Sequence, residues 1–211
     1  LLAEHLGWPG AEIQIREHPG GVQCFIAAPI DALLTATEVN EQAWHAVEAL
    51  VERGERPNVP DLCARLRVHL QHEASPRLVA LQHAARRHAR TFTFDDESVS
   101  IGVGAMSRTW PRTGLPAPDE VAWHVLGDVP VALVTGSNGK TTTTRALAAI
   151  LREAGLVTGL SSTDGVWIGG VCVAEGDYSG PAGARLVLRD RQVQAAVLET
   201  ARGAMLRRGL A

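Results

Sequence analysis

The sequence predicts an α/β protein, a doubly wound parallel sheet preceded by a smaller α+β domain. Three observations predict it. The apolar, β-branched run Val131-Ala132-Leu133-Val134-Thr135 ends in a short loop bounded by Gly136 and Gly139, and a helical pattern starts at Lys140. Strand-like and helix-like stretches then alternate up to residue 199, the signature of parallel strands with crossover helices. Ahead of them, Trp110 to Asp119 concentrates Pro111, Gly114, Pro116 and Pro118, which marks a break between domains. The expected organisation is an N-terminal α+β domain over residues 1–110, a linker over 111–118 and a loop-and-sheet domain over 119–211.

The N-terminal elements follow from period and punctuation. Residues 1–8 read as a short helix closed by Gly7 and Pro9. Glu12 to Arg16 alternates polar and apolar, His18-Pro19-Gly20-Gly21 is a turn, and Val22 to Ala28 returns as the second strand of a hairpin. Asp31 is expected to cap a long helix, Ala32 to about Arg53, with Leu33, Leu34, Ala43, Val47 and Leu50 on one face. Helices come next over 60–73 and 76–88. Two short strands, 91–94 and 99–103, flank the acidic turn Asp95-Asp96-Glu97. After the linker come a strand at 131–135, a helix over 140–154 closed by Gly155 and a strand at 156–161. A hairpin around Gly169-Gly170 is next, then a helix opened by Pro181 and an apolar strand, 193–199, ending in Glu199.

Composition bounds the function. At 211 residues and 45% hydrophobic content the chain has material for one large or two small globular domains. It has no apolar run of membrane-spanning length and no signal-peptide pattern at Leu1 to Trp8. A net charge of −3, carried by residues 1–118, gives no footprint for nucleic acid. Cys24, Cys63 and Cys172 are scattered and odd in number, the usage of reduced thiols in a cytoplasmic protein. His69, His72, His83 and His88 lie in polar helical surroundings, with no further metal ligand in spacing. The absence of an initial Met, a helix already under way at Leu1 and the stop soon after a strand-to-helix transition lead us to expect a piece of a longer protein.

The chemistry gathers at the loop. Gly136, Ser137, Asn138, Gly139, Lys140, Thr141 and Thr142 stand between a strand and a helix, where backbone N–H groups and a helix N-terminus can cradle phosphate. Lys140 can reach the β- and γ-phosphates of a nucleotide and the Thr141 hydroxyl can hold Mg²⁺. Lys140 is the only lysine in the chain; every other residue among its 20 basic ones is arginine. That selective use of a compact point charge argues against a mere Gly/Asn turn before a helix. Glu199, an acid at the carboxyl end of a strand, can hold Mg²⁺ or be a solvated strand end. Thr163 and Asp164 leave the second strand on the side of the loop and can meet phosphate, metal or substrate, or form a plain Asp-Gly turn. Tyr178 and Ser179 lie in a Gly-bounded segment that can contact substrate or simply connect. Arg202, Arg207 and Arg208 can stabilise transferring phosphate charge or form a solvated face.

The runs Thr135 to Thr142, Ser162 to Ile168, Gly176 to Ala182, Val187 to Asp190, Leu198 to Gly203 and Leu206 to Leu210 together resemble the Mur ligases, and most specifically the Mur-ligase part of cyanophycin synthetases. The resemblance covers residues 119–211. It implies the ATP-binding central domain of that family, in part. It also implies an ATP- and Mg²⁺-dependent ligase that turns an amino-acid or peptide carboxylate into an acyl phosphate and joins it to an amine. By the same resemblance Lys140 and Glu199 are catalytic, and Thr141 and Glu199 hold the metal. The family's further metal-binding His and C-terminal domain have no counterpart before Ala211, so the 211 residues alone are not expected to complete catalysis. Two other readings start from the same loop. One is a phosphate-loop kinase or NTPase without ligation. The other is a non-catalytic nucleotide-binding or assembly module whose N-terminal domain builds a homo-oligomer.

Overall fold

The computed structural model describes residues 2–8 and 10–201. The chain forms two compact units, residues 1–80 and 81–211.

In the first unit a short helix α1 (Leu2–His5) precedes an antiparallel hairpin, β1 (Ile13–His18) with β2 (Gly21–Ile26). Helices α2 (Leu33–Arg53) and α3 (Val59–Glu73) come next, and α4 (Pro76–Arg87) begins. The core joins Leu6, Trp8, Ala36, Val39 and Leu66. Two expectations about α2 are corrected. Its buried residues are Thr35, Ala36 and Val39, whereas Leu33, Leu34, Val47 and Leu50 are exposed, Leu34 at 75%. The small Ala36 and Thr35 let the helix approach α1 and α3 closely, and this turns the larger side chains outward. Asp31 does not cap the helix either, because its Oδ2 accepts the Ser75 N–H. The first turn is held by Glu73, the last residue of α3. Its Oε1 accepts from Leu34 N–H at 2.8 Å and its Oε2 from both the N–H and the hydroxyl of Thr35.

The second unit opens with an antiparallel sheet of β3 (Phe92–Phe94), β4 (Ser98–Ile101) and β5 (Arg108–Pro111). β5 has no expectation in the sequence, being four residues long with a proline at its end. The proline-rich stretch at 111–118 lies inside this unit and runs largely through short 3-10 turns. Backbone bonds tie the segment after β4 to later parts of the unit: Val103 N–H donates to Gly127 C=O and Ala105 N–H to Val193 C=O. Gly104, at φ 61°, sits where a Cβ would strike the Val193 carbonyl oxygen, so only glycine fits the crossing.

The main sheet is built from β6 (Val131–Val134), β7 (Thr158–Ser162), β8 (Gly165–Ile168), β9 (Val171–Glu175) and β10 (Ala195–Glu199), in the order β6-β10-β7-β8-β9. The crossover helices are α5 (Lys140–Glu153) and α6 (Pro181–Arg189). β10 runs parallel to both β6 and β7, and β8-β9 is the expected hairpin, but β7-β8 is antiparallel too, so the sheet is mixed rather than parallel throughout. The reason is connection length. Thr163-Asp164 and Gly169-Gly170 are two-residue links, which reverse a chain but cannot carry it back to a parallel start. One face packs Ala148, Leu160 and Val197. The other packs Val166, Val187, Val193 and Leu198. All five residues of β10 are buried. The parallel strands deliver their carboxyl ends to one edge, where the loop lies.

Candidate functional site

β6 ends at Val134, and the loop turns through Gly136 at φ 154° and Gly139 at φ 75° before α5 starts at Lys140. A residue with a Cβ would be strained at Gly139 through its φ alone, since nothing lies within 4 Å of the added atom. Residues 135–139 are exposed, and Lys140 is half-buried at the helix start. Thr143 N–H closes the first helical turn on Gly139 C=O, and the Thr144 hydroxyl donates to Lys140 C=O at 2.7 Å. Thr200 N–H donates to Val134 C=O, which carries the β6-β10 pairing one residue past Glu199.

Glu199 is 2% exposed. Its Oε2 accepts the Thr163 N–H at 3.3 Å, while its Oε1 is buried with no hydrogen-bond partner among the described residues. The Thr163 hydroxyl lies 3.2 Å from the Thr141 hydroxyl. The structure thus brings Thr141, Thr163 and Glu199 together from three different elements, beside the loop. An orphaned carboxylate oxygen and two hydroxyls, all oxygen donors, are the ligand chemistry of a hard divalent cation such as Mg²⁺. These residues therefore fit that ion. Among the described residues no three His, Cys, Asp or Glu side chains form a metal cage, so further ligands would come from phosphate oxygens or water.

The other expected residues divide. Asp164 pairs with Arg145 of α5, Oδ2 to guanidinium at 2.7 Å, and its N–H donates to the Ser162 hydroxyl. Tyr178 packs against the apolar cluster under α6, and its N–H donates to Ser162 C=O. Ser179 is buried, with its N–H and hydroxyl both donating to Asp177 Oδ1, while its C=O accepts from Ala201 N–H. Tyr178 and Ser179 therefore hold the segment after β9 against the strand ends. Arg202, Arg207 and Arg208 lie outside the described residues. Sequence reasoning missed the anchoring of Asp164 and Tyr178 by Ser162, and the Arg145–Asp164 pair. The one signal was the Ser-Thr-Asp-Gly order, in which each small polar residue can bond the backbone two residues on.

Residues 134–210 match the model of the Mur ligase middle domain. The chain is 55% identical over 122 residues to a cyanophycin synthetase of Synechocystis sp., a stretch of 54% of this chain and 14% of that protein. It is 55% identical over 83 residues to the cyanophycin synthetase of Geminocystis herdmanii, covering 39% of this chain and 10% of that one. A shorter likeness, 60% over 37 residues, joins it to a UDP-N-acetylmuramoylalanine–D-glutamate ligase of Synechococcus elongatus, covering 18% of this chain and 8% of the ligase. The chain spans a small fraction of the length of each of these relatives.

Proposed function

We propose, from a chain whose residues 134–210 are Mur-ligase-like, that the protein belongs to an ATP-dependent ligase that joins a carboxylate to an amine through an acyl phosphate. The carboxylate is that of an amino acid or peptide. The reaction attacks the γ-phosphorus of ATP with a carboxylate oxygen and releases ADP. The amine then attacks the acyl carbon and loses a proton, and inorganic phosphate departs. Residues 119–211, within the second unit, would supply the ATP-binding segment, and residues 1–80 a separate N-terminal unit. No helix among the described residues is long and apolar enough to cross a membrane; a cytoplasmic setting goes with this reading.

The observation that carries the proposal is the meeting of Thr141, Thr163 and the buried, half-partnered Glu199 at the strand ends beside the loop that holds Lys140. Every reacting group here is anionic, so the difficulty is repulsion between carboxylate and phosphate. Lys140, with the N–H groups of the loop and of the α5 start, offsets that repulsion at the phosphate oxygens. Mg²⁺, held by Glu199 Oε1 and the Thr141 hydroxyl, would supply the remaining positive charge. The Thr163 N–H fixes the Glu199 carboxylate, so that Oε1 points away from its one protein partner.

The test is phosphate release by the full-length protein. It should require both a carboxylate and an amine substrate and fall by about a thousandfold or more in Lys140→Ala, the scale of losing a main transition-state charge. Release that needs no amine would favour an NTPase or kinase, and an unchanged rate in the variant would overturn the reading.

A further inference from the structure

Beyond the phosphate loop, the second unit holds a cavity of about 280 Å³ that no step of the proposed reaction uses. It opens between α5 and the antiparallel side of the main sheet. Its floor is apolar, formed by Ala148, Leu160 and the indole of Trp167. Its polar rim is cationic: Arg145 and Arg152, two turns apart on one side of α5, both line it. Among the described residues no acidic one does.

The two arginines differ. Arg145 is engaged, with its guanidinium 5.5 Å from the Trp167 ring centroid and paired to Asp164 outside the cavity. Arg152 has no ion pair among the described residues. Its position is nonetheless built. Gly170, at φ 90°, leaves the space that Arg152 occupies, and a Cβ there would come within 3.0 Å of the guanidinium nitrogen. The hairpin turn that reverses β8 into β9 therefore also makes room for the cation.

The geometry points to a binding site for a small carboxylate with a flat apolar body. The carboxylate pairs with the Arg152 guanidinium, two oxygens against two N–H donors. The body lies on the apolar floor against Trp167. The volume, about 280 Å³, falls just under the roughly 300–1,000 Å³ of drug- and cofactor-sized pockets, and suits a ligand of amino-acid size. Bare phosphate would gain the charge but leave the floor wet, and so is disfavoured. Because Arg145 is shared with Asp164, whose neighbour Thr163 contacts both Thr141 and Glu199, the cavity abuts the nucleotide site without being part of it.

Benzoate serves as the probe, titrated into the 211-residue chain and followed by calorimetry and by saturation-transfer NMR from the indole. Saturable 1:1 binding is expected, with Arg152→Gln weakening it roughly ten- to hundredfold, the scale of one charge-assisted bidentate contact. Arg152→Lys should recover only part of that loss. Asp164→Asn, which frees Arg145, should tighten binding, and Lys140→Ala should leave it unchanged, which separates this site from the phosphate loop. Arg152 is exposed and unpaired, so circular dichroism should show Arg152→Gln folded as the parent. Equal affinity for inorganic phosphate and benzoate, no saturation, or an Arg152→Gln titration that superposes on the parent's would each overturn the assignment.

Discussion

At the scale of the residue, the proposed role of Glu199 sets function against stability. A buried carboxylate oxygen without a partner costs about 1–3 kcal/mol. A residue chosen for the fold alone would be neutral there. Glu199→Gln keeps the side-chain shape and an acceptor for Thr163 N–H while removing the charge. Its unfolding midpoint in urea should be equal to or higher than the parent's, by up to about 1 kcal/mol. Mg²⁺-dependent nucleotide binding, read by calorimetry, should be lost. A variant that is destabilised and still binds Mg²⁺–nucleotide would show that the carboxylate serves the fold. The acid at the strand end was visible in the sequence, as was the lone Lys140 in its loop. What could not be read was that Thr163 contacts both Glu199 and Thr141, because that depends on how the β7-to-β8 turn meets α5 across the strand ends.

At the scale of the element, regular pieces were legible and their partners were not. The hairpin, the long helices and the strand-loop-helix run arise from local period and from Gly and Pro punctuation. Which face of α2 is buried does not, because Thr35 and Ala36 win that place by being small, against larger apolar neighbours. Its N-terminus is likewise completed from far along the chain. Burial by itself would raise the Glu73 pKa. The Thr35 and Leu34 N–H groups and the Thr35 hydroxyl outweigh that and hold it below its ordinary value of 4.5. A carboxylate with a depressed folded pKa adds stability above its unfolded pKa and loses it as pH falls through the folded one. Glu73→Gln should therefore destabilise by about 1 kcal/mol at neutral pH, as loss of a helix cap does. The gap to the parent should close below pH 4.5, as followed by helical circular dichroism in a denaturant series at several pH values. A pH-independent gap would mean that packing, not charge, matters there.

At the scale of the whole molecule, the second unit is held together by contacts that span long stretches of chain. Asp95, in the turn between β3 and β4, accepts from Arg189 at 2.6 Å and lies 3.5 Å from Arg185, both on α6. Arg189 is 17% exposed. Burial alone would raise the Asp95 pKa, but the Arg189 hydrogen bond, the Ser98 and Glu97 N–H groups and the Arg189 charge lower it on balance. Its contribution is thus present at neutral pH and lost in acid, and Asp95→Ala should cost about 2 kcal/mol at pH 7 by thermal unfolding, less in acid. An Asp95→Ala melt that overlays the parent's would show the small sheet to be independent of α6. In the main sheet, β6 and β7 are neighbours in sequence but not in space, because β10, made last of the five strands, fills the gap between them. Until residues 195–199 have been synthesised, the strand that leads into the loop at 135–139 has no partner among those already made. Closure of this sheet therefore waits for β10, and the loop after β6 has no finished surroundings before it.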